Sequence, residues 1–124
     1  MATESTNPPS VTTQIDLDER AVASAQALAA HVVQAKGHGH GGTAMALAPL
    51  SHVLFSRVLR HSPAHPDWPG RDRFVLSAGH ASLLLYTQLF FTGYGLTVDD
   101  LAKSRTLGSL TPGIPRSTTP WASK

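Results

Sequence analysis

The sequence predicts an α/β piece, mostly helical with about one strand, and three observations carry that reading. Apolar residues recur at helical spacing in an Ala-rich stretch and in two later ones. One short apolar run lies between turn residues and has the character of a strand. Clusters of glycine and proline separate these segments. With 124 residues, 41% of them hydrophobic and 15% charged, the chain has the length of one domain and enough apolar content for a core.

Residues 1–15 are rich in Ser, Thr and Pro without periodicity and read as a flexible leader. From Asp16 to Lys36 the Ala-rich composition favours a helix, with Leu17, Ala21, Leu28, Val32 and Ala35 on one face. Asp16, Asp18 and Glu19 stand where the helix dipole favours negative charge. Four glycines between Gly37 and Gly42 then break the helix. A second helix is expected from near Ala46 to Arg60, its stripe formed by Leu50, Val53, Leu54 and Val58, with Pro49 tolerable only in the first turn.

Residues 61–70 contain three prolines and read as a loop. Arg73–Ser77 is the expected strand. Ala81 to about Thr92 forms a third helix, apolar around most of its circumference, which therefore needs cover on nearly every side. Thr97 and Asp100 have the spacing of a capping box, opening a fourth helix to about Arg105. A lone strand leaves its backbone groups unpaired, so this inventory reads as the opening of an α/β domain rather than a whole one.

Composition also excludes several functions. Ten basic against eight acidic residues, scattered along the chain, lack the dense basic stripe of a nucleic-acid binder. No apolar run approaches the roughly 18 residues of a membrane span. The absence of cysteine excludes disulfides and thiolate metal sites and suits a cytoplasmic protein. Seven histidines are the anomaly. His38 and His40 are too few for a metal site without a nearby carboxylate, so no metal ligand is assigned. Gly79-His80 opens a helix, where backbone donors favour an anion and an imidazole adds a donor; a histidine that merely caps a turn is the competing reading.

Five segments carry a resemblance. Gly39-His-Gly-Gly-Thr-Ala-Met45, Arg71-Asp-Arg-Phe-Val-Leu-Ser77, Gly79-His-Ala-Ser82, Thr92-Gly-Tyr94 and Ser109-Leu-Thr-Pro-Gly113 follow the order and spacing of a transketolase N-terminus. The chain therefore resembles that family over residues 16–113, as the N-terminal part of a thiamine-diphosphate-binding domain.

The resemblance implies transfer of a two-carbon ketol unit between sugar phosphates in the pentose phosphate pathway. Thiamine diphosphate and Mg2+ or Ca2+ would be the cofactors of the intact protein, a homodimer. It also implies that His40 faces the substrate and assists proton transfers, and that His80 contacts the diphosphate. Gly41 stands where the family pattern has proline. His31, His52, His61 and His65 have no motif role and read as surface or loop residues.

Residues 114–124 depart from the family, and Ile114 stands where its pattern has a substrate histidine. With one assignment of codons, restoring a single C after Gly113 turns the tail into Gly-His-Pro-Glu-Val-Asp-His-Thr-Val-Gly-Val-Glu, which returns to the family pattern. A one-base deletion is thus the expected origin of the tail. On that expectation the chain is a truncated fragment that does not itself bind the cofactor, and the alternative to the enzyme reading is a non-catalytic fragment. A split transketolase in two chains is a third reading.

Overall fold

A computed structural model describes residues 13–113. The leader expected at residues 1–15 falls outside these residues up to Thr12, and the tail at 114–124 lies wholly outside them. Helix α1 spans Gln14–Lys36, starting two residues before the expected Asp16. Its start is set by a capping box, in which Thr13 Oγ1 accepts from the Asp16 N–H at 3.2 Å and Asp16 Oδ2 accepts from the Thr13 N–H at 3.0 Å. Gly37, with φ of 74°, ends the helix and returns its N–H to the carbonyls of Val33 and Gln34.

The buried face of α1 differs from the expected one. Ala25, Ala29 and Val32 are buried, whereas Leu17 is 48% exposed. Small residues let the neighbouring helices approach α1 closely, a demand that a hydrophobicity pattern favouring leucine does not register.

The expected helix 46–60 is broken: α2, Gly41–Ala46, ends where it was to begin, and α3 at Ala48–Val53 and one π-helical turn at Leu54–Val58 follow. Pro49 is the cause. In a continuous helix its ring would meet the carbonyl of residue 45, so the chain restarts and Pro49 takes a place in the first turn of α3. Gly41 and Gly42, expected in a loop, form the first turn of α2.

The expected apolar stripe is also displaced: Leu50, Val53 and Val58 are exposed, while Ala48, Ser51 and Phe55 are buried. Ser51 can be inside because Gln88 Nε2 donates to its Oγ at 3.0 Å and that hydroxyl donates to the Ala48 carbonyl at 3.0 Å.

The strand expected at Arg73–Ser77 does not form, and no β-ladder occurs among the described residues. The α/β expectation is corrected accordingly: these residues are helices and loops. A strand exists only where another backbone satisfies its N–H and C=O groups, and no described segment runs beside this one. Residues 59–78 are instead loop and turns. Asp72 ties the loop back, its N–H donating to the Arg60 carbonyl and its carboxylate accepting from the Arg60 N–H, each at 2.8 Å.

Helix α4, Ser82–Phe91, follows a 3-10 turn at Gly79–Ala81 and is the centre of the fold. It meets the expectation of cover on nearly every side, packing on α1, α2, α3 and the short helix α5, Val98–Ala102. Leu83, Leu84, Tyr86 and Leu89 join Val32, Phe55, Leu96 and Leu101 in one cluster. Each such side chain removed from water contributes about 1.5–3 kcal/mol.

Thr97 and Asp100 cap α5 reciprocally, as the spacing requires. The helix ends at Ala102 rather than Arg105, which takes φ of 62° and turns the chain back. The returning segment is pinned by the Arg105 N–H to the Thr111 carbonyl, the Thr111 hydroxyl to the Asp100 carbonyl, and the Tyr86 hydroxyl to the Pro112 carbonyl at 2.6 Å.

Candidate active-site edge formed by two histidines

His40 and His80, forty positions apart, come together at one edge of the helix cluster. Their ring centroids are 5.3 Å apart, edge to face with 61° between the planes, and both residues are exposed. His40 is the residue immediately before α2. The backbone around it is shaped by Val33 on α1: Gly39 has φ of +142°, and a Cβ built there would lie 3.1 Å from Val33 Cγ2. Only glycine fits that combination of conformation and close approach. Gly41 has no such requirement, since a Cβ there would meet the same methyl at an ordinary 3.4 Å. His80 sits inside the 3-10 turn that leads into α4, with the Ala81 N–H returned to the Ala78 carbonyl.

The remaining histidines separate by environment. His31, His38 and His65 are exposed, as expected of surface or loop positions. His52 does not fit that expectation. Its side chain is only 15% exposed and its Nε2 donates to Asp18 Oδ1 at 2.9 Å, while Arg57 engages the other oxygen. The hydrogen bond from His52, followed by those from Gln14 and the Arg57 charge, holds the Asp18 carboxyl below the usual carboxylate range.

His61 lies in the loop but is half-buried and fully bonded. Its Nε2 donates to the Phe55 carbonyl and its Nδ1 pairs with the Tyr94 hydroxyl, both at 2.8 Å. A carbonyl can only accept, so Nε2 carries the proton. His61 also stacks on Tyr94, with centroids 5.6 Å apart. It joins the π-turn to the segment after α4, a role the sequence reading missed. The one available signal was that Tyr94 closes the Thr92-Gly-Tyr94 motif.

Among the described residues, no three histidine, aspartate or glutamate side chains come together to hold a metal ion. A magnesium or calcium site therefore does not fit them. The donor set at His40 and His80 does fit an anionic ligand in part, since two exposed imidazoles offer ring N–H groups at an open edge. No described helix is long and apolar enough to cross a membrane.

The family described as "Transketolase, thiamine diphosphate binding domain" matches residues 17–121. The transketolase of Mycobacterium tuberculosis is 55% identical over 100 residues, covering 81% of this chain and 14% of that protein. Transketolase 1 of Saccharomyces cerevisiae is 49% identical over 100 residues, 81% of this chain and 15% of its own length. The crystal structure of a transketolase from Campylobacter jejuni superposes with a TM-score of 0.80 at 39% identity, over 88% of this chain and 17% of that one. A Pichia stipitis transketolase in complex with sedoheptulose 7-phosphate gives a TM-score of 0.76 at 46% identity, over 83% and 15% of the respective chains. The chain thus spans about one-seventh of the length of these curated relatives. On sequence and on fold alike, the chain belongs to the transketolase family.

Proposed function

We propose that this chain carries the histidine-bearing edge of a thiamine-diphosphate site that serves two-carbon ketol transfer between sugar phosphates, in a cytoplasmic homodimer. The observation that supports this most is the approach of His40 and His80 to 5.3 Å in a chain of this family. When bound, thiamine diphosphate supplies the electron sink for breaking and making the carbon–carbon bond.

The protein's residues do the rest. His80, fixed in the 3-10 turn at the head of α4, donates a ring N–H to a diphosphate oxygen. His40, presented by the Gly39 turn, takes and returns a hydroxyl proton of the sugar phosphate at a ring nitrogen. The edge-to-face contact sets the proton-transfer group beside the anion-binding one.

The test places residues 13–113 into the corresponding stretch of the M. tuberculosis transketolase and titrates cofactor against ketol-transfer rate. His80→Ala is expected to weaken cofactor binding by roughly 1.5–3 kcal/mol, the worth of a hydrogen bond to a charged group. His40→Ala is expected to lower turnover at saturating cofactor by about 10²–10⁴-fold. A folded chimera without activity would reject the proposal, and the reverse pattern in the two variants would reject the assigned roles.

A further inference from the structure

We infer that the run Arg73–Ser77 is an open edge on which a second copy of this chain docks, the two runs pairing as antiparallel strands about Val75. Among the described residues, no backbone N–H or C=O of this run makes a hydrogen bond. The chain nevertheless passes from Asp72 to Ala78 without turn or bend, and its burial alternates with the period of a strand. Phe74, Leu76 and Ala78 are half-buried, whereas Arg73, Val75 and Ser77 are exposed. The Phe74 ring packs on Phe55, with centroids 5.2 Å apart, so the inner face is seated on the helices. Val75 stands on the outer face, 85% exposed.

A row of unpaired backbone groups is a template for another strand, and proteins blunt such rows with lysine, proline or a covering segment. None of those residues stands at Phe74, Val75 or Leu76. Arg60 occupies the start of one edge, where its carbonyl accepts from the Asp72 N–H at 2.8 Å. The rest of the run is left for a strand from outside.

The order of side chains favours a second copy as that strand. Antiparallel pairing centred on Val75 sets Val75 opposite its own copy, Phe74 opposite Leu76, and Arg73 opposite Ser77. Each apolar residue then faces an apolar one, and no like charges meet. Parallel pairing in register would instead bring the two Arg73 side chains together. Both copies use the same surface, so the contact closes as a two-fold dimer. It would form roughly four to six backbone hydrogen bonds. None of this depends on whether a cofactor binds.

Sedimentation equilibrium of the full chain, with residue-resolved amide hydrogen exchange, tests the pairing. A monomer–dimer equilibrium is expected, with alternate amides of Arg73–Ser77 gaining protection as concentration rises. Val75→Lys and Val75→Glu should each weaken the dimer by about fivefold or more, since like charges then face each other across the two-fold axis. An equal mixture of the two variants should restore it, because opposite charges then face each other. Leu50→Lys, on the exposed side of α3, should leave it unchanged. Val75 is exposed, so these variants keep the fold, which far-UV circular dichroism checks. A chain that stays monomeric up to about 1 mM would overturn the inference. So would a charged mixture no tighter than either variant alone, or a dimer lost in Leu50→Lys. Protection of Arg73–Ser77 in the monomer would also overturn it, since another segment of the same chain would then occupy the edge.

Discussion

Alanine at Gly39 and alanine at Gly41 should move stability in opposite directions, although the two glycines flank His40 and face the same methyl. At Gly39 the backbone has φ of +142°, a region L-residues avoid, and an added Cβ would stand 3.1 Å from Val33 Cγ2. Holding a non-glycine residue in such a conformation costs on the order of 1–3 kcal/mol, before the crowding against Val33 is added. At Gly41 the residue begins α2, and the added Cβ meets Val33 at an ordinary 3.4 Å.

There the gain comes from the unfolded chain, which loses freedom it no longer has to give up on folding, and the expected stabilisation is about 0.4–1 kcal/mol. Urea unfolding followed by far-UV circular dichroism measures both, and the difference between the variants should exceed about 1.4 kcal/mol. The same reasoning ties backbone to site, since Gly39 sets the direction of His40. Gly39→Ala should therefore also shift the ring resonances of His40 and His80, which Gly41→Ala leaves in place. Equal stability of the two variants, or destabilisation by Gly41→Ala, would refute the account of the loop.

Two further outcomes follow from the titrating groups. The hydrogen bonds from Thr13 and Thr97 lower the pKa of Asp16 and Asp100 below the usual 3.8. A depressed carboxyl stabilises the fold above its unfolded pKa and loses that contribution as pH falls through its folded value, so the helix content of α1 and α5 should decline below about pH 3.8. Thr97→Ala should blunt that acid step in α5 without abolishing it, since the backbone N–H of residue 97 still donates to Asp100, and the amide resonances of Val98 to Ala102 read it. Burial pushes the Tyr86 phenol up to about 12, and burial also raises Tyr94. Absorbance at high pH should show both tyrosines ionising above the normal 10, with the highest step missing in Tyr86→Phe. The raised phenol contributes stability fully below pH 10 and loses it as pH climbs toward 12.

Much of the local architecture was legible in the residues. Thr97 and Asp100 marked the start of α5, Gly37 the end of α1, Pro49 a first-turn position, and the apolar circumference of residues 81–92 a helix needing cover. These signals act within about four residues, through caps, ring sterics and helix propensity, so no distant partner is needed to read them. The family-like motifs likewise single out His40 and His80 as site candidates.

The rest depended on which segments meet. Whether 73–77 became a strand rested on a backbone elsewhere, and none lay beside it. Whether Leu50 or Ser51 was buried rested on Gln88, thirty-seven positions from Ser51, arriving with a donor. His52 and His61 looked like surface residues until Asp18 and Tyr94 came to them. The 5.3 Å between His40 and His80 belongs to the same class, because Val33 on α1 shapes the turn that presents one ring while α4 presents the other. Caps and propensity determine where helices begin and end, but burial and ring proximity arise from contacts between segments far apart in the chain, and only packing supplies those.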